Sequence, residues 1–476
     1  MQIRSFVRAA SWVAASFALG CESPPSGELF DAALLSDGRV AVVGYVGLGD
    51  LERPSVTLLD ADGREQWVRY LGSAVVGGLE VGTANRVVVD ELDRIHVAGF
   101  ARTAAGVDAG IVVSYDADGD FLWETRPFTA GDSEIRGLAA SGGDVFVTGY
   151  ARGAAAPGEF APVGVLTARL RGTDGWVLWS DVLDATPDPL GVTTGLHVAV
   201  GPAGQVGVAG CATASDGHSD WLAAVWGPSG QRAWQSRRRG PDDRGQDAGD
   251  LSVAVESAFG DDGGLYVAGT IFAGSAGSDA ELVKYAGDGD VEWVRSFGAA
   301  LPEGVPSYDR ADALEVVGDE VVYGGARAAI ANDWLIDESF VATVDLAGAG
   351  RWEHGFPGAA QSGEEVFDLA ADAAGDLYVA GTISDRGYGK DLAVMKLTPT
   401  GEVIWSEALD GVGSALDLDR IERLLARDET VVAVGKIDWG FGAHVATAVK
   451  LDPVDGSIEW AFPETLHGNQ KIHVVR

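Results

Sequence analysis

The side chains able to do chemistry are few and scattered. Seven histidines stand at His96, His197, His218, His354, His444, His467 and His473, and two cysteines at Cys21 and Cys211. No two fall into an H-x-x-x-H or C-x-x-C spacing, so the sequence offers no pair of zinc ligands on one helical turn or one loop. Cys211 and His218 share the stretch CATASDGHSDW, but Cys211 ends a run of β-forming residues, and burial is the expected outcome. The DADGD of Asp116 to Asp120 alternates carboxylates as a hard cation requires. It lacks the length and the closing bidentate acid of a calcium loop, so calcium is the one cation the pattern admits and no cofactor is expected. Neither a G-x-S-x-G elbow nor a phosphate-binding loop occurs. No catalytic residue can be assigned.

The element that must position any site is a repeat. The stretch DLYVAGTISDRGYGKDLAVMKLTPTGEVIW covers 376–405, and its features recur along the chain. Its β run ending in glycine returns with Gly44, Gly99, Gly149, Gly210, Gly269, Gly325, Gly381 and Gly435. Its closing tryptophan returns as Trp67, Trp123, Trp179, Trp234, Trp293, Trp352, Trp405 and Trp460, at spacings of 53 to 59 residues. Two independent markers at one period define a repeat array. Each unit reads as four short strands rich in Val, Tyr, Ile and Thr, separated by Gly-containing turns. Eight such units predict an all-β fold, an eight-bladed β-propeller with four antiparallel strands per blade; a β-solenoid is the alternative. The expected repeats are 28–78, 79–133, 134–191, 192–250, 251–312, 313–365, 366–417 and 418–476. Eight equivalent tryptophans are read as packing between blades, not as a binding site. FDAALLS near the start and KIHVVR at the end both have strand character, and either could bridge the first and last blades.

The pattern G-[DN]-x-Y-V-x-G, then D-x-x-V-x-K-x, then G-x-x-x-W resembles the SBBP-type bacterial β-propeller repeat and the wider quinoprotein-like superfamily. The resemblance spans nearly all of 28–466 and is closest at Asp376–Trp405 and Gly264–Trp293. It implies the propeller, and by fold alone a quinone-cofactor oxidoreductase as an alternative function. The adjacent cysteine pair common in such enzymes is missing.

The N-terminus reads MQIRSFVRAASWVAASFALGCESPPSGE. Arg4 and Arg8, then an apolar run too short to span a bilayer, resemble a bacterial lipoprotein signal ending at Gly20. Residues 1–20 are then a leader, Cys21 is lipidated, 21–27 form a tether and 28–476 the propeller. The expected location is the bacterial outer membrane or cell surface, with secretion to the periplasm as the alternative. The lipid is the only membrane contact expected.

The joins between first and second strands, and between third and fourth, are uniformly tight (LSDGR, ELDR, DADG, TPTG). In an up-and-down blade these lie on one side of the disc. Every long join, such as ARAAIANDWLIDES and RRRGPDDRGQDAGD, belongs to the other side. Variable loops on a repeating scaffold are where binding resides, which makes Asp333, Trp334, Trp439, Phe441, Tyr308 and Tyr388 the candidate partner contacts. The run Arg237–Arg239 is expected to pair with Asp242, Asp243 and neighbouring acids. The net charge of −37 repels phosphate backbones, so nucleic acid is excluded as a partner. A protein or glycan partner and a monomeric chain are expected, with an outer-membrane assembly lipoprotein as a further alternative.

Overall fold

The computed structural model describes residues 27–462 except 48–51, 72–81, 104–105, 129–130, 155–160, 188–192, 215–217, 241–251, 274–275, 298–300, 303–304, 332–333, 357–363, 385–389, 410–419, 428 and 439–443. Among these residues the chain forms strands and no α-helix. Blade 1 holds β1–β4 (Gly27–Leu34, Val40–Gly47, Glu52–Leu59, Glu65–Tyr70) and blade 2 holds β5–β8 (Gly82–Val89, Ile95–Arg102, Asp108–Tyr115, Phe121–Thr125). Blade 3 follows as β9–β12 (Ser133–Ser141, Asp144–Arg152, Pro162–Arg171, Val177–Pro187) and blade 4 as β13–β16 (Thr194–Val200, Val206–Thr213, Ser219–Trp226, Arg232–Arg238). Blade 5 is β17–β20 (Val253–Phe259, Leu265–Phe272, Gly277–Tyr285, Val291–Phe297), to which β21 (Ser307–Tyr308) adds a short parallel pairing on β19. Blade 6 is β22–β25 (Arg310–Val317, Glu320–Ala331, Trp334–Asp345, Gly350–His354). Blade 7 is β26–β29 (Glu365–Ala371, Leu377–Ser384, Lys390–Leu397, Val403–Leu409) and blade 8 is β30–β33 (Arg420–Arg427, Thr430–Asp438, His444–Leu451, Ile458–Phe462). Each blade is a four-stranded antiparallel meander in sequence order, and the eight form a β-propeller.

The apolar core is divided into eight clusters, one in each seam between neighbouring blades. The seam between blades 2 and 3, for example, buries Ala98, Val112 and Trp123 against Ile135, Val147 and Leu166. The seam between blades 8 and 1 does the same with Val432, Val434 and Trp460 against Leu29, Val40 and Leu59. Among the described residues no strand is shared between the first and last blades. FDAALLS lies in the innermost strand of blade 1, whose β1 packs on β30, β31 and β32; KIHVVR lies outside the described residues.

The repeated tryptophans form a directional link. Each fourth-strand indole lies against the glycine of the third-to-fourth turn of the next blade, a residue with positive φ in every case. At Gly63 (φ 78°) a β-carbon would stand 2.5 Å from the Trp460 ring, so left-handed backbone and close approach both demand glycine there. The indole N–H then donates to a carbonyl of the same turn: Trp123 to Gly172, Trp352 to Pro399, Trp405 to Pro453, and Trp460 to Ala61 at 2.9 Å. Trp67 and Trp234 pack alike, but their buried N–H groups have no acceptor among the described residues.

The repeated second-strand glycines have a different cause. A β-carbon at Gly381 would stand 2.0 Å from the Glu365 carbonyl oxygen, and all eight equivalents meet the first strand at about this distance. The missing side chain admits a bulge in the pairing of the first two strands, seen in blade 7 between Val366 and Asp368 and repeated in every blade. The bulge re-aims the residue that follows it.

Candidate functional site in the central channel

The residues next to the bulge are Asp31, Arg86, Gly137, His197, Glu256, Ala313, Asp368 and Arg423, one from the innermost strand of each blade. They form a tier around the propeller axis. Arg423 of blade 8 reaches Asp31 of blade 1 at 3.4 Å, Asp368 of blade 7 at 3.5 Å and Glu256 of blade 5 at 3.9 Å. Blades 8 and 5 are not neighbours, so that last contact crosses the bore.

Each of the three carboxylates also holds the next blade. Asp31 accepts the Val87 N–H at 2.9 Å, Glu256 the Leu314 N–H at 2.7 Å, and Asp368 the Leu424 N–H at 2.6 Å. Three seams are therefore stapled by side chain to backbone, and one guanidinium gathers the staples on the axis. The Arg423 side chain is 39% exposed, whereas those of Asp31 and Asp368 are 7% and 6% exposed. Solvent reaches the cation along the bore, and the anions are desolvated.

That desolvation sets the titration of the tier. Burial raises the Glu256 carboxyl above its usual range, the charge on Asp368 adds to the rise, and Arg423 opposes it. Burial likewise pushes Glu315, two residues beyond Ala313 on β22, up to about 7 against the pull of Arg423. Asp368 is raised by burial too, with Arg423 opposing. Burial first, and then the charges of Arg423 and Arg86, press His197 down to about 3, so its ring is neutral at physiological pH. His197 Nδ1 accepts the Ser257 N–H at 3.3 Å, which leaves the proton on Nε2, 3.8 Å from Glu256.

Carboxyls raised in the folded state stabilise it below their unfolded values, near 4.5 for Glu, and lose that contribution as pH rises through the folded values. Glu256 and Glu315 therefore make the melting temperature fall between pH 5 and pH 8. Glu315→Gln is expected to flatten that slope by about 2 °C, read by calorimetry at both pH values; an unaltered slope would remove Glu315 from the linkage.

At the loop-bearing mouth of the bore a second tier is paired. Arg310 bridges Asp312 at 3.0 Å and Glu365 at 2.5 Å, and Lys436 of blade 8 reaches Glu28 of blade 1 at 2.8 Å. Burial pushes the Asp312 carboxyl up to about 6, with Arg310 opposing.

The sequence-derived candidates that are described, Tyr308 and Trp334, lie elsewhere. Tyr308, in β21, is 51% exposed. Trp334 opens β24 opposite Ala331, at the end of the hairpin with β23. Cys21, Asp333, Tyr388, Trp439 and Phe441 lie outside the described residues. Of these candidates, the described Tyr308 and Trp334 are not brought together with the channel tier. Among the described residues the arginine run pairs with nearby carboxylates, Arg237 and Arg239 with Asp220 of β15 and Arg238 with Glu281 of β19. Asp220 is presented by the paired strand and Glu281 by the next blade, while Asp242 and Asp243 are outside the described residues. Cys211 is buried, as expected. In DADGD, Asp116 accepts the N–H groups of Asp118 and Asp120, the same turn-closing bonds that Asp60 makes in blade 1. No group of three or more metal-ligating side chains occurs among the described residues.

The sequence did carry a signal for the channel tier. Its members stand twelve or thirteen residues before the eight second-strand glycines and are charged in five of eight repeats.

No protein-family model matches the chain, and no curated protein matches it. Among solved structures it is similar to a eukaryotic initiation factor, at 11% identity over 78% of this chain and 75% of that one, with a TM-score of 0.39. It is similar to the Pyrococcus horikoshii acylaminoacyl peptidase at 10% identity over 86% of this chain, spanning only 58% of the peptidase, with a TM-score of 0.38. The Penicillium chrysogenum alpha-L-arabinanase complexed with arabinobiose aligns at 14% identity over 68% of this chain and 94% of that one, with a TM-score of 0.36.

Proposed function

We infer that this chain is an extracytoplasmic, lipid-anchored propeller of the SBBP type that serves as a binding scaffold, with a protein or glycan held by the loop-bearing face. The observation that carries this reading is the asymmetry of the disc. On one side all the turns are short, and those between third and fourth strands are pinned by the tryptophan–glycine links. On the other, the joins are long and unequal, and the β23–β24 hairpin runs twelve residues on each strand where most strands have seven or eight. The N-terminal signal supports the location, and the paired charges of the bore support a scaffold over a reaction chamber.

Replacing Trp334 and Trp439 together with alanine tests the working face. Capture of protein and glycan from native membranes by the acylated chain should drop at least tenfold, with the melting temperature within about 1 °C of wild type. Undiminished capture would move the binding surface away from this face. Mass spectrometry of Cys21 tests the anchor independently.

A further inference from the structure

The geometry points to a fixed orientation on the membrane: the loop-bearing face lies against the bilayer that anchors the chain, and the short-turn face looks outward. This rests on the lipid-anchor reading of Cys21.

The first constraint is covalent. β1 is the innermost strand of blade 1, and it begins at Gly27, paired with Val46 near the end of β2. Gly27 therefore emerges at the mouth of the bore on the loop-bearing side, beside the Glu28–Lys436 pair. From Cys21 to Gly27 the chain takes six steps, a reach of about 21 Å when fully extended. Crossing four strands from the bore to the rim takes about 15 Å, and strands of eight residues stand about 26 Å tall. A lipid at Cys21 would need about 40 Å of tether to lie under the opposite face. It has half of that.

The second observation is surface chemistry. The loop-bearing side presents Tyr308, 51% exposed, and Ile330, 46% exposed near the end of the β23–β24 hairpin. A tyrosine with its polar tip and a neighbouring aliphatic side chain suit the headgroup boundary of a bilayer. The occupant of this part of the face is thus the bilayer interface, and any protein or glycan bound by the surrounding loops is one presented at the membrane surface.

The test uses the full acylated chain in protein-free liposomes containing a rhodamine-labelled lipid. Ile330→Cys and Thr400→Cys place an NBD label on the loop-bearing face and on a short turn respectively; Cys211 is buried and stays unlabelled. Energy transfer to the lipid dye should be several-fold stronger from position 330, and NBD emission there should shift to the blue on reconstitution, with neither effect at 400. Equal or reversed transfer with acylation of Cys21 confirmed by mass would overturn the orientation. Strong transfer from 330 in native-membrane vesicles but not in liposomes would overturn the bilayer as occupant in favour of a membrane protein. If mass spectrometry finds Cys21 unmodified, the anchor reading fails by itself. Coupling Cys21 of a chain starting at that residue to a maleimide lipid then restores the same tether, and the transfer ratio decides the geometry.

Discussion

Trp460→Ala is expected to be the most damaging single substitution among the eight repeated tryptophans. The side chain is only 6% exposed, covers Gly63 of blade 1 and donates its N–H to Ala61. Truncating a buried tryptophan costs about 3–5 kcal/mol, which for a chain of 476 residues lowers the melting temperature by about 4 °C. Seven seams are also bridged by the polypeptide, so an opened seam is pulled back by a short linker. Among the described residues the seam between blades 8 and 1 has no such linker and is held by side-chain packing and hydrogen bonds. Hydrogen exchange should accelerate first in β1 and β33. Trp67→Ala, which removes an indole lacking an acceptor, should be milder by about 1 kcal/mol, the net worth of one hydrogen bond. Equal midpoints in urea for the two variants would refute this account of ring closure.

Arg423→Met is expected to produce the largest pH-dependent loss. Removing the cation strands Asp31, Glu256 and Asp368 around an apolar side chain. Breaking a fully buried ion pair costs about 3–5 kcal/mol, but Arg423 is 39% exposed along the bore, so screening reduces the expected loss to about 2 kcal/mol. The sign with pH follows from the carboxyls. Without the guanidinium the Glu256 and Asp368 carboxyls, already raised by burial, climb further above their unfolded values, so the variant gains stability as pH falls from 8 towards 5 and the protons return. Urea midpoints at pH 5 and pH 8 check this, and adding Asp368→Asn should recover part of the loss at pH 8. An equal deficit at both pH values would mean that Arg423 acts by packing and not by charge.

The architecture was legible because its two markers are exceptions to ordinary substitution. Gly381 and its equivalents accept no β-carbon, and Trp405 and its equivalents fill one kind of seam, so both recur whatever the loops between them do. The closure of the ring was less legible, since FDAALLS and KIHVVR have equal strand character and only three-dimensional packing distinguishes the role of β1. The channel tier was hidden for another reason. Asp31, Glu256, Asp368 and Arg423 are distant in sequence, and no local pattern says that bulges on different blades aim at one axis. Asp220 and Glu281 could not be named as partners of Arg237–Arg239 for the same reason, because they meet them from another strand and another blade and not along the chain.

The tryptophan–glycine links have a consequence for chain connectivity. Trp460 meets Gly63 in the way Trp405 meets Gly456 and Trp352 meets Gly401. Blade 1 therefore has no special standing as a beginning, nor blade 8 as an end. A circular permutant that joins Phe462 to Gly27 by a short linker and starts at Glu365 would keep all eight links, moving only the place where the ring lacks a covalent bridge.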